Sequence, residues 1–176
     1  ASPTSWKIAR NWVGDYLAFE TVEKATGFDI WLLRPERPAD PPVHLVHSAA
    51  SENDPRISPD GRWLAYASNE SGRSEIYVVS LPDARTKYQV TTEGGRHPIW
   101  TRGGRELFYM TSAYAVAAVA VTPGETLTFR SPVTLFPQPR PNWGTGADQA
   151  LFDVTADGDR IVVLVPENQG SQTLVV

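Results

Sequence analysis

The chain contains no cysteine, which removes a disulfide framework, thiolate chemistry and the common structural zinc sites together. That absence suits an oxidising compartment or a reducing one and does not localise the protein. No segment approaches the roughly 20 apolar residues that a membrane-crossing helix needs. The opening ASPTSWKIAR carries no signal-peptide core and reads as a cut inside a longer chain. Neither sign of charge dominates: 16 Lys and Arg face 20 Asp and Glu, and a net charge of -4 points neither to nucleic acid nor to an anionic membrane. Gly94-Gly95 and Gly103-Gly104 are not followed by Gly-Lys-Ser/Thr, so they form no phosphate-binding loop. There is no Gly-x-Ser-x-Gly elbow, and the acidic residues are scattered through turns instead of clustered as in a calcium loop. Six tryptophans and a full complement of aliphatics argue against disorder, and 176 residues suffice for one domain with a real core.

What the chain does have is a likeness to itself. DPRISPDGRWLAYAS (Asp54 to Ser68) returns 43 residues later as HPIWTRGGRELFYMT (His97 to Thr111). Weaker copies flank the pair, WVGDYLAF before it and FDVTADGDRIVVLV after it. Anchored on Gly14, Gly61, Gly104 and Gly158, the spacings are 47, 43 and 54 residues. A period of about 40 to 45 residues, rich in short alternating strands and turns, is the signature of propeller blades.

Period-two patterning gives the strands. Trp63, Ala65 and Ala67 fall on one face while Leu64 and Tyr66 fall on the other, and both faces are apolar. A sheet apolar on both sides must be sandwiched between neighbours, as a blade is. Ala115 to Val121, AVAAVAV, could pass for a helix, but Pro123-Gly124 and its place in the repeat make it a strand. The expected fold is therefore all-β, an array of about three and a half to four four-stranded antiparallel blades, divided near 5–51, 52–94, 95–147 and 148–176. In the turns, proline presets φ, aspartate bonds local amides and glycine supplies the positive φ, so Asp60 and Asp157 are turn formers and not catalytic groups.

ISPDGRWLAYASNESGRSEIYVVSLPD (Ile57 to Asp83) resembles the repeat of TolB-type, WD-repeat-like β-propellers. The longer run through YQVTTEGGRHPIWTRGGRELFYMT and FDVTADGDRIVVLV is similar to the C-terminal propeller region of bacterial serine/threonine kinases. Two copies depart from the pattern: Val13-Gly14-Asp15 replaces Pro-Asp-Gly, and Arg102-Gly103-Gly104 loses the aspartate. The resemblance implies a sensor or protein-interaction region of a larger bacterial protein, in a periplasmic or extracytoplasmic setting. The chain itself carries no kinase motif, neither a glycine-rich loop with its strand lysine nor His-Arg-Asp nor Asp-Phe-Gly. The alternative is the propeller of a prolyl-oligopeptidase-like hydrolase whose catalytic domain lies outside this chain.

The search for chemistry leaves a surface. His44 and His47 are three apart in a predicted strand and should point to opposite faces, which disfavours a metal site. Ser58, Asp60 and His97 do not make a convincing triad. No cofactor and no metal is expected, and no enzyme activity. In a propeller, the loops from second to third strands and from one blade to the next open on one face beside the channel mouth. Those loops carry Glu70, Arg73, Arg96, His97, Asn142 and Trp143, with Asp54 and Arg56 on the adjoining first strand. Charged and aromatic side chains on loops held by a rigid scaffold suit a protein or peptide partner. Trp143 and the channel would serve a small ligand or sugar under a third, weaker reading. Three and a half to four blades leave apolar faces and a strand edge uncovered, and at roughly 25 cal/mol per Å² several hundred square ångströms would favour a covering partner by several kcal/mol. A larger propeller of which this is a piece, a second copy completing a ring of about eight blades, or closure as a small four-bladed ring would supply that cover.

Overall fold

The computed structural model describes residues 6–24, 26–137 and 152–163. The chain divides into two compact units, Ala1–Pro98 and Ile99–Val176. The described residues contain no α-helix. In chain order the strands are β1 (Lys7–Val13), β2 (Tyr16–Glu23), β3 (Gly27–Leu33), β4 (Val43–Val46), β5 (Glu52–Ile57), β6 (Trp63–Ser68), β7 (Glu75–Ser80) and β8 (Lys87–Gln89). They continue with β9 (Gly95–Thr101), β10 (Glu106–Thr111), β11 (Ala115–Thr122), β12 (Thr128–Phe129), β13 (Val133–Pro137), β14 (Phe152–Val154) and β15 (Ile161–Val163).

The first unit holds two antiparallel sheets of four strands in simple order, β1-β2-β3-β4 and β5-β6-β7-β8. Every residue of β6 is buried. Leu64 and Tyr66 from β6, with Tyr77 and Val79 from β7, pack against Ala18, Ile30, Leu32 and Leu45 of the first sheet, and Ile57 joins them. Trp63, Ala65, Ala67, Ile76 and Val78, on the opposite face, are also at most 5 % exposed. Both faces of the second sheet are thus dry, as its two apolar registers require.

The second unit keeps the same plan with one difference. Its main sheet runs β12-β11-β10-β9, and β13 also pairs with β11. The fourth-strand position expected here is shared: β13 lies along Ala115 to Ala118 and β12 along Val121 and Thr122. The eight-residue β11 is long enough to take both partners end to end. Phe108, Met110, Val116 and Ala118 pack with Phe152 and Ile161 of the β14–β15 hairpin.

The repeat turns explain themselves atom by atom. Ser58 Oγ donates to Asp60 Oδ1 at 2.6 Å, and the same oxygen accepts the Arg62 amide at 3.1 Å. Ser58 Oγ also accepts the Trp63 amide at 3.0 Å, and Gly61 sits at φ +71° where a Cβ would be strained. The β14–β15 hairpin repeats this motif with Thr155 for serine: Thr155 Oγ1 donates to Asp157 Oδ1, which accepts the Asp159 amide at 3.0 Å. Between β9 and β10, where aspartate is missing, the chain makes a single 3-10 turn through Arg102, Gly103 and Gly104, all at positive φ. There the Arg102 side chain takes over as the organiser, reaching Glu106 and Asp159 at 2.9 Å each.

Partial burial pulls the Asp60 carboxyl upward, but the bonds from Ser58 and Arg62 overcome it and hold it below 3.8. The turn therefore adds stability above the unfolded aspartate's range that fades as pH falls through the lowered folded value. Asp60→Ala is expected to cost about 1–2 kcal/mol at pH 7 in urea unfolding, the scale of a lost local cap. Unfolding curves for variant and parent should converge as pH falls below that range, and a gap that persists at low pH would contradict this account.

His44 and His47 do not point to opposite faces. Their rings stack at 4.1 Å between centroids with planes 26° apart, and His44 stacks in turn on Trp31 at 4.1 Å. Strict alternation fails because the β3–β4 register shifts between Ile30 and Trp31 and because β4 ends at Val46, before His47. The His44 ring is further fixed by Asp29, whose Oδ2 lies 3.0 Å from Nε2.

Candidate functional site

The first strand of the second blade carries Asp54-Pro55, and that of the third carries His97-Pro98. Proline has no N–H to give a ladder, so inside a strand it belongs at a bulge. The β5–β6 register indeed shifts between Asn53 and Arg56. Asp54 and His97 adopt the left-handed region, at φ +55° and +53°. Among non-glycine residues Asp and His are two of the best suited to that conformation. The local sequence thus turns two polar side chains out of the strand pattern at matching points of successive repeats.

The two side chains meet. His97 Nδ1 lies 2.7 Å from Asp54 Oδ2, with the imidazole 6 % and the carboxylate 15 % exposed. Behind them runs a second pair. Glu20 Oε1 accepts the Asp54 amide at 2.6 Å, and Glu20 Oε2 takes Arg10 Nε at 2.8 Å. Arg10 lies at another bulge, where the β1–β2 register shifts between Ala9 and Asn11. Arg10, Glu20, Asp54 and His97 therefore form one chain of charge-assisted contacts linking the bulges of β1 and β5 to His97 of β9. Burial pushes the Glu20 carboxyl upward, and the Arg10 hydrogen bond and charge pull against it.

Sequence reading found Asp54 and His97 but missed Arg10 and Glu20. The available signal was a charged residue in β2 of LAFE, where the next copy has the alanine of LAYA at Ala67. A carboxylate in an otherwise apolar strand register must find partners on the neighbouring strand.

The rim of the face is laced just as closely. Glu75 is buried at the start of β7, and its oxygens accept the Thr91 hydroxyl at 2.5 Å and the Gly94 amide at 3.0 Å. Arg73 Nε reaches the same carboxylate at 2.8 Å, and Arg73 Nη2 donates to the Thr92 carbonyl. Ser74 Oγ donates to the Gly95 carbonyl at 2.9 Å. The loop bearing Arg73 is thereby held beside the loop bearing Arg96 and His97. Glu70 is turned toward its own blade and pairs with Lys87 Nζ at 2.5 Å. Arg56 and Arg96 are half-buried. Asn142 and Trp143 lie outside the described residues. Ser58 and Asp60 bond each other and the turn while His97 holds Asp54, so these three form no triad. Among the described residues no group of three or more His, Asp or Glu is placed to hold a metal ion.

Glu52, fully buried at the head of β5, is the weak point of this face. Its Oε1 accepts Ser48 Oγ at 2.5 Å, while Oε2 has no partner. Burial, with the charges of Asp29 and Glu70, pushes its carboxyl upward, opposed by Ser48 and Lys87. The folded protein then holds this proton more tightly than the unfolded chain, whose carboxyl titrates near 4.5, so this group's contribution falls as pH rises through the interval above that value. Glu52→Gln is expected to raise the urea midpoint at pH 7 and to flatten that decline. A lowered midpoint with the decline intact would show that the carboxylate is better tolerated than its burial implies.

Solved structures share this architecture. A TolB protein from Acinetobacter baumannii matches 97 % of this chain and 40 % of its own at 17 % identity, with a TM-score of 0.62. The fold is that of a β-propeller. A TolB from Agrobacterium tumefaciens matches 76 % of this chain and 52 % of its own, at 17 % identity and a TM-score of 0.59. The propeller domain of the Trilobed protease from Pyrococcus furiosus, described for its open velcro topology, matches 97 % and 52 % at 16 % identity and a TM-score of 0.56. At such identities the likeness is one of fold alone. The chain spans about half the length of these propeller structures. No protein-family model and no curated protein sequence matches it.

Proposed function

We propose that this propeller segment is a non-catalytic binding and scaffold module, the sensor or protein-interaction region of a larger bacterial protein such as a serine/threonine kinase. The observation that carries this reading is the laced loop face of the second blade. The Arg73 loop is tied to Thr92 and Gly95, and His97 of the adjoining strand is tied to Asp54. Loops fixed in this way present charged groups with little backbone change on binding, which suits a protein or peptide partner. Arg73, with 62 % of its side chain exposed, offers a charged group to solvent on that face.

Cross-linking mass spectrometry on the parent protein tests the assignment. Partner cross-links are expected on the loops at residues 69–74 and 93–97, and Arg73→Ala, which removes a largely exposed guanidinium at little cost in stability, should weaken them. Cross-links confined to other faces, or turnover of chromogenic peptide or ester substrates by the chain, would overturn it. Completion of the ring by a second copy is the accompanying proposal. Light scattering on the isolated chain is then expected to give twice the mass of one chain, and a monomer at micromolar concentration would discard it.

A further inference from the structure

A cleft of about 250 Å³ opens at the hairpin end of the first unit, lined among others by Tyr16, Leu32, Arg34, Asp40, Val43 and Pro82. We propose that it receives the C-terminus of a peptide, seating an apolar last side chain in the cleft and its carboxylate on Arg34. The β1–β2 and β3–β4 connections that frame it lie at the opposite strand ends from the loops bearing Arg73 and His97. The proposal therefore stands or falls independently of the loop-face reading.

The size argues for one apolar side chain. Drug-sized ligands occupy about 300–1,000 Å³, more than this cleft offers, whereas one leucine or phenylalanine side chain needs far less. Leu32, Val43 and Pro82 give it apolar walls, of which Leu32 is anchored in the core between the first two sheets.

The charge argues for a carboxylate. Arg34 follows β3, and the chain then folds back through two turns, Arg37 N–H to the Arg34 carbonyl and Asp40 N–H to the Arg37 carbonyl, both at 2.9 Å. That return places Asp40 Oδ2 at 3.5 Å from Arg34 Nη1, while Nη2 reaches Tyr16 Oη at 3.4 Å. Charge-assisted hydrogen bonds are normally about 2.7–2.9 Å long, so both contacts are loose. What positions the guanidinium is the Tyr16 ring, 5.4 Å from Arg34 Cζ to its centroid. A planar fork of five N–H donors with two long contacts retains the capacity for a bidentate carboxylate. Asp40, half exposed, is the chain's own competitor for that place.

The backbone argues for a peptide over a free acid. Val43 is both a wall of the cleft and the first residue of β4, the strand that ends its sheet. An extended chain laid along that edge would end at Arg34, the arrangement by which sheet edges capture peptides.

The test measures binding of fluorescently labelled Ala-Thr-Val-Leu to the full chain by anisotropy, as free carboxylate and as C-terminal amide. The free carboxylate is expected to bind at least about tenfold more tightly than the amide. Arg34→Gln should lose that preference with an unchanged melting temperature, and Arg34→Lys should retain part of it because charge survives without the fork. Asp40→Asn should tighten binding, since it removes the competitor, and a merely structural Arg34–Asp40 pair would not produce that result. Equal binding of acid and amide, no binding at about 1 mM, indifference to Arg34→Gln, or binding of 4-phenylbutyrate but not of the peptide would each overturn the proposal.

Discussion

Glu75→Ala is expected to destabilise the chain by about 2–5 kcal/mol in urea unfolding, the cost of leaving two buried donors without their acceptor. Glu75 is 1 % exposed, and its two oxygens satisfy the Gly94 amide and the Thr91 hydroxyl. Thr91 Oγ1 in turn accepts the Ile76 amide at 2.8 Å, so truncation disorders a second contact. The loss falls on the neutral donors more than on the ion pair. Arg73→Ala should therefore cost under about 1 kcal/mol, because its guanidinium is largely exposed and can rehydrate. Glu75→Gln should fall between the two, keeping an acceptor but losing the charge. If Arg73→Ala cost as much as Glu75→Ala, the surface ion pair and not the buried acceptor would be holding these loops.

Leu64→Ala is expected to cost about 2–5 kcal/mol, through lost burial and the cavity left behind. Leu64 is fully buried in β6, at the junction where the second sheet packs on Ala18, Ile30 and Leu32 of the first. Neighbours on two blades limit how far the site can collapse, which favours the upper part of that range. The denaturant midpoint should fall with the slope unchanged. Val133→Thr, at a side chain 60 % exposed on β13, is expected to stay within about 0.5 kcal/mol of the parent. Comparable losses at the two positions would mean that the interface between the first two sheets contributes little.

The repeat was readable because its information is local. Ser58-Pro59-Asp60-Gly61 encodes its own turn within six residues, and the hydrogen bonds among Ser58, Asp60 and Arg62 are those the residue types predict. The strand at Ala115 to Thr122 was readable for the same reason, with Pro123-Gly124 closing it. The His44–His47 stack was not readable, since one register shift at Trp31 and the early end of β4 undo the alternation that the reading assumed. Arg10 and Glu20 escaped notice for another reason. Glu20 bonds to Asp54, 34 positions away, and nothing within a few residues of either announces the other.

The sequence by itself determined the blade plan, the turn chemistry and the need to bury both faces of the second sheet, because turn preference and side-chain alternation act between near neighbours. Only the tertiary structure decided which polar groups meet: Asp54 with His97, Glu20 with Arg10, Glu75 with Gly94. Bulges at Arg10 and Asp54 re-aim side chains by one register step, and the packing of one sheet on the next then selects their partners. Pairing of that kind depends on the separation of chain segments in space, which the order of residues along a repeat does not record.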